Sequence, residues 1–179
     1  AEGMAYATVI DGVGVIVEVN CESDFVAGGP LFAEFVSGVA KVIAKENPAD
    51  IDALMACPWY TGNGTVDNAK NELFLSVREN MKVRRFTYAE GPLVTYVHGG
   101  GRIGVMVTFE PDVADKEGFQ AYAKDVAMQV AAINPLFLDE ASVPADVIEK
   151  EKEILTAQAM NEGKPENIAQ KMVQGRIQK

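Results

Sequence analysis

One histidine and two cysteines are all that this 179-residue chain offers toward a conventional zinc site. Cys21 and Cys57 lack metal-ligand spacing, so a zinc set is excluded and free thiols in a reducing compartment are the reading left. No apolar run approaches the roughly 18 residues that a bilayer span needs. The opening AEGMAYATV has neither the basic region nor the long apolar core of a secretory leader. A soluble, cytoplasmic protein is therefore expected. Positive charge is also scarce: 16 Lys and Arg face 26 Asp and Glu, for a net charge of −10. Nucleic-acid backbones and anionic membranes both recruit cations, so neither is an expected partner. Residues 1–143 hold 10 basic and 20 acidic side chains, whereas residues 144–179 hold 6 of each. An acidic body with a neutral helical tail suits a protein partner better.

What is present is enough apolar content, 48%, to bury a core. YATVIDGVGVIVEVN alternates on either side of Asp11-Gly12, which predicts a β-hairpin. After Gly29-Pro30, the spacing of Phe32, Phe35, Val36, Val39, Ala40 and Ile43 predicts a helix that ends near Asn47-Pro48. Asp50 reads as the cap of a short helix before Pro58. The Gly62–Gly64 loop leads into a helical pattern through Leu73, Phe74, Val77 and Met81. VRRFTYAE, LVTYVHGGG and RIGVMVTF then read as three strands of an antiparallel meander. Phe119, Tyr122, Ala123, Val126, Ala127 and Val130 mark another helix.

The chain also resembles itself. Tyr6, Val13, Gly14, Val15, Val17 and Val19 recur 90 positions later as Tyr96, Ile103, Gly104, Val105, Val107 and Phe109. Phe32 and Val39 recur as Phe119 and Val126 at an offset of 87. Each half reads as a hairpin followed by a covering helix, so the expected class is α+β, with two similar lobes of antiparallel sheet covered by helices. The expected divisions are an N-terminal lobe over 1–82, a second lobe over 83–142 and C-terminal helices over 143–179. In the last segment Ser142 and Pro144 start a helix with a thin stripe of Val147, Ile148, Ile154 and Leu155. Pro165 opens another, with Ile168, Met172 and Val173 on its apolar side. Stripes so narrow need another surface to bury them.

Gly99-x-Gly101-x-x-Gly104 has the spacing of a dinucleotide fingerprint, but a strand follows it where the fingerprint needs a helix N-terminus. A hairpin turn is the better reading, and no cofactor is expected. His98 beside it could do acid–base work, yet no nucleophile stands at motif spacing. The Glu149–Glu153 charge run reads as a solvated helix face. By pattern alone Asp24 is a turn or cap residue and Phe25 a core aromatic.

EVNCESDFVA at 18–27 resembles the signature of the elongation factor Ts family, bacterial factors that drive nucleotide exchange on elongation factor Tu. YVHGGGRIGVMV at 96–107, AMQVAAINPLFL at 127–138 and VPADVIEKEKEIL through GKPENIAQKMVQGRI at 143–177 are similar to that family in the same order. The resemblance begins after the family's N-terminal helical module and stops as the chain enters its coiled-coil region, so it covers the core or dimerisation domain. It implies a non-enzymatic exchange factor in which Ser23, Asp24, Phe25 and Val26 intrude near the partner's magnesium and phosphate site. It also implies a second partner contact around Gln129, Asn134 and Pro135. Three positions depart from the family pattern: Ser23 stands for the usual Thr, Gly28 for a common basic residue and Gln129 for a frequent His. The competing reading is a core that only scaffolds or forms a homodimer; an enzyme using His98 ranks last.

Overall fold

A computed structural model describes residues 1–177 of the chain. They fall into two compact units, Ala1–Asn134 and the segment from Pro135 onward.

In the first unit, β1 (Glu2–Ile10) and β2 (Val13–Cys21) pair antiparallel around Asp11 and Gly12. Both turn residues have positive φ, 51° and 80°, the backbone of a tight hairpin whose twist matches its strands. Alternation along β2 sends Val15, Val17, Val19 and Cys21 to one face, where all four are buried. After the single turn α1 (Asp24–Ala27), helix α2 (Pro30–Glu46) covers that face with Phe32, Phe35, Val36, Val39, Ala40 and Ile43. Proline presets its first turn, and Asn47 ends it in the left-handed conformation at φ 43°. In α3 (Ile51–Ala56) the N-terminal amide of Ala53 donates to the Asp50 carboxylate at 2.8 Å. α4 (Val66–Val77) opens with a Thr65–Asn68 capping box and stops at Arg78, φ 59°. The expected stripe through Met81 is therefore too long: Val66 and Leu73 are the buried residues of α4, and Met81 lies beyond it.

The expected three-strand meander is also corrected. β3 (Lys82–Ala89) joins the first hairpin instead, giving sheet order β1-β2-β3, while β4 (Leu93–His98) and β5 (Ile103–Thr108) form a separate pair. A division at 82/83 thus cuts β3 after Lys82 and parts the rest of it from the strand to which it is hydrogen-bonded. The reason lies in β2, whose buried face gains Val83, Phe86 and Tyr88 as cross-strand neighbours of Val19, Val17 and Val15. A bulge at Glu18/Val19 leaves Arg84 as the extra residue. Arg84 and Arg85 both reach Glu18 as a result, with Nη1 2.9 Å from Oε1 and Nε 2.6 Å from Oε2.

The other face of this sheet carries small residues at Gly14, Ala5 and Ala7 beside the larger Ile16 and Glu18, and the β4–β5 pair stacks on it. A Cβ on Gly14 would meet Leu93 Cδ2 at 2.6 Å and Met106 Sδ at 2.8 Å, and one on Gly104 would meet Ala5 Cβ at 3.2 Å. These two glycines are equivalents in the internal repeat, each facing the other hairpin. The Ala5 amide donates to the Gly101 carbonyl at 2.7 Å, closing the same contact. Helix α5 (Phe119–Ile133) covers β4 and β5 with Phe119, Ala123 and Ala127, and Phe119 meets Phe109 edge-to-face at 5.2 Å. The layers run α2, three strands, two strands, α5, an α+β architecture. Tyr6 opposes Val17, but Tyr96 opposes Val105 where the repeat would place Val107. The longer Gly99–Arg102 loop moves the register by two, which keeps every side chain on its face.

The second unit is a helical hairpin of α6 (Ala145–Asn161) and α7 (Glu166–Ile177), turning at Gly163 with φ 81°. Its buried residues are Ala159, Ala169 and Val173, small enough for close approach of the helices. The expected stripe differs: Val147, Ile154 and Ile168 are 40%, 48% and 45% exposed. Among the described residues, no helix is long and apolar enough to cross a membrane.

Two outcomes follow. Gly38 lies buried in α2 beneath the Trp59 indole, and its missing Cβ is what lets Trp59 stack on Phe35 with centroids 5.7 Å apart. Gly38→Ala should destabilise by about 1–3 kcal/mol through overpacking, despite alanine's better helix propensity; a thermal melt with an unchanged or raised midpoint would contradict this. For Glu18, burial alone would raise the carboxyl pKa, but hydrogen bonds from Arg84, Arg85 and Asn20 hold it below the ordinary value. Its stabilisation is thus present above the unfolded value of about 4.3 and is lost as pH falls through the lower folded value. Melts between about pH 6 and pH 3 should show Glu18→Gln less stable at the upper end, with the gap closing toward the acid end.

Candidate functional site

At Cys21 the chain leaves the sheet, and the next residues form one helical turn between β2 and α2. Ser23 takes extended backbone angles and caps this turn, its Oγ accepting from the Val26 amide at 3.2 Å. The cap is thus Ser23, where pattern alone favoured Asp24. Successive residues point about 100° apart around so short a helix. Val26 enters the core at 8% exposure, whereas Phe25 beside it is 87% exposed and Asp24 is exposed too. The core placement of Phe25 that pattern alone favoured is overturned. Val26 joins the core cluster that α2 covers, and the ring of Phe25 is left in solvent. Gly28 and Gly29 close the turn, with amides donating to Asp24 O at 2.9 Å and Val26 O at 3.0 Å.

Two carboxylates fix the turn from one side. Glu79 accepts from the Ser23 amide at 3.0 Å and from the Ser23 hydroxyl at 2.5 Å. Glu22 Oε1 accepts from the Asn80 amide at 3.0 Å and from its side-chain Nδ2 at 2.8 Å. Sequence reasoning missed Glu79 and Asn80. They stand 56 and 58 residues from their partners, and the only local signal is a polar break after the helix α4. The two amide donors of Asn80 hold the Glu22 carboxyl below its usual range. Burial, then the nearby negative charges of Glu79 and Glu2, push the Cys21 thiol up. Cys21 Sγ donates to Ser23 O at 3.3 Å, so it is a protonated structural thiol.

The other expected contact residues sit elsewhere. Gln129 is exposed on α5, on the same helical face as Tyr122 and Ile133, which are 64% and 61% exposed. Asn134 caps α5 in the left-handed conformation, φ 47°, and Pro135 is exposed at the start of the second unit. None of the hydrogen bonds described joins Ser23–Val26 to Gln129 or Asn134. The glycine motif forms the turn between β4 and β5 and opens a strand. His98 lies at its edge, Nδ1 2.9 Å from the Tyr96 hydroxyl. An open groove of about 900 Å³ is lined by Glu18, Asn20, Arg85 and Arg102, among others, and Phe25 does not border it. The Phe25 turn is a protrusion, the shape of a group that enters another molecule's surface, whereas small ligands are held in concave sites.

The family model for elongation factor TS matches residues 22–179. The chain is 42% identical to the elongation factor Ts of Syntrophotalea carbinolica, 45% to that of Clostridium novyi and 47% to that of Clostridium perfringens. Each match covers 100% of this chain and 60% of the relative, so the chain spans less than two thirds of their length. A match that begins at Glu22 takes in the whole Phe25 turn, its Glu79–Asn80 clamp, the second hairpin and both terminal helices, and the chain belongs to the elongation factor Ts family.

Proposed function

We propose that this chain is the core of a non-enzymatic translation factor that promotes GDP release from elongation factor Tu. Ser23–Val26 is the element that disturbs the partner's magnesium and phosphate site. The observation that carries the reading is a large aromatic ring 87% exposed on a turn whose neighbouring residue is sunk in the core. Exposed phenylalanine has a hydration cost that burial in a partner removes, and a rigid base aims it.

Magnesium accepts little distortion of its octahedral shell and is held in part by nucleotide phosphates, so displacing the elements that position it weakens metal and nucleotide together. Exchange is then linkage: the factor's preference for the loosened partner equals the loss in nucleotide affinity. Burying one phenylalanine ring yields about 1.5–3 kcal/mol, or roughly one to two powers of ten. A tightly held nucleotide needs more. The face of α5 carrying Tyr122, Gln129 and Ile133, with Asn134 and Pro135 after it, is the second contact that shares the load. The acidic first unit, with no need of a nucleic-acid contact, is consistent with a protein partner.

Release of labelled GDP from elongation factor Tu tests this directly. The chain should accelerate release, and Phe25→Ala should cut the acceleration by roughly 10- to 100-fold at subsaturating concentration while leaving the melting midpoint unchanged, since the ring is outside the core. Absence of acceleration by the unaltered chain, together with a stable homodimer, would instead favour a scaffold.

A further inference from the structure

We infer that Glu79 is a positioning residue for Phe25: its carboxylate holds Ser23 by two hydrogen bonds and so fixes the direction in which the aromatic ring projects. The inference rests on the exchange reading given under Proposed function.

A four-residue helix does not hold its own shape. Its nucleation cost exceeds what one turn of hydrogen bonds returns, and here two glycines follow it, which add no stiffness. Something outside the turn has to fix it. On the core side Val26 is buried, but a single apolar anchor leaves the turn free to roll about it. The remaining constraint is at the N-terminus. Ser23 Oγ accepts from the Val26 amide while its hydroxyl proton and its own amide both go to Glu79. The carboxylate thereby selects the hydroxyl orientation in which the oxygen's lone pair faces Val26, and a charged acceptor makes both bonds stronger than neutral ones. Glu22 and Asn80 make a second, parallel tie one residue earlier. Both ties reach the same short connector after α4, so the connector and the turn move as one piece.

No described hydrogen bond joins the side chain of Asp24 to these groups, and the 87% exposed ring of Phe25 is not among their partners, so Glu79 acts on the ring through the backbone it holds. Loosening the turn lowers the fraction of molecules with Phe25 in the entering direction, and that fraction multiplies the insertion step. The maximal GDP-release rate at saturating factor should therefore fall more than the half-saturating concentration rises.

The test measures both quantities for the unaltered chain, Glu79→Ala, Glu79→Gln, Phe25→Ala and the Phe25→Ala/Glu79→Ala double variant, with amide hydrogen exchange at Val26 alongside. Glu79→Ala should lower the maximal rate by roughly tenfold, speed exchange at Val26 and lower the melting midpoint by only a few degrees. Glu79→Gln keeps one oxygen acceptor and should recover part of the rate; it also carries the comparison if the alanine variant fails to fold. In the Phe25→Ala background, removal of Glu79 should cost nothing further. A full rate for Glu79→Ala, when the unaltered chain is active and Phe25→Ala is not, overturns the positioning role alone. An undiminished Glu79 effect without Phe25 also overturns it, because Glu79 then touches the partner itself. An inactive unaltered chain overturns the exchange reading and this inference with it.

Discussion

Everything in the first unit depends on β2 being covered on both faces, fully by α2 along one and partly by the second hairpin on the other. One face packs four side chains under α2, and the other is bare enough at Gly14 for a second hairpin to lie directly on it. A strand covered on both faces cannot also be an edge without wasting backbone hydrogen bonds. β1 and β3 supply them, and β3 is brought from 60 residues further along the chain for the purpose. The bulge in that pairing then converts two consecutive arginines into a joint clamp on Glu18.

The Phe25 turn inherits its rigidity from this arrangement. It begins where β2 ends, at a buried Cys21, and is followed at once by α2, whose first turn is fixed by Pro30. Cys21 before the turn and Phe32 after it are both buried, and Val26 ties the turn to the same core. Exposing a phenylalanine on such a base costs the fold little, because the core is already full. It also presents apolar area in a preset direction, which reduces the ordering cost that a partner contact would otherwise bear.

The internal repeat shows how one packing solution can be used twice. Gly14 and Gly104 are equivalent positions, and each is the place where its own hairpin admits the side chains of the other. The two copies are not identical in detail. A two-residue turn closes one and a four-residue glycine loop the other, and a register change of two is the smallest that leaves the inward faces inward. That loop is why the glycine spacing mimics a nucleotide-binding motif while serving a hairpin.

The local elements were legible in the amino-acid sequence because local forces decide them. Asp11-Gly12 dictates its turn, the spacing of Phe32 to Ile43 dictates α2, and the apolar alternation of β2 dictates which of its side chains go inward. Asp50 announces its own helix as an N-cap. Family resemblance pointed to Ser23–Val26, but pattern alone would have put Phe25 in the core, since a single aromatic carries no periodicity from which to read its direction. What tertiary structure alone decided are the pairings between distant segments: β3 with β2 and not with β4, and Glu79 with Ser23. Such contacts depend on which edges and donors remain unsatisfied once the local elements have formed, and no local spacing in the chain encodes that remainder.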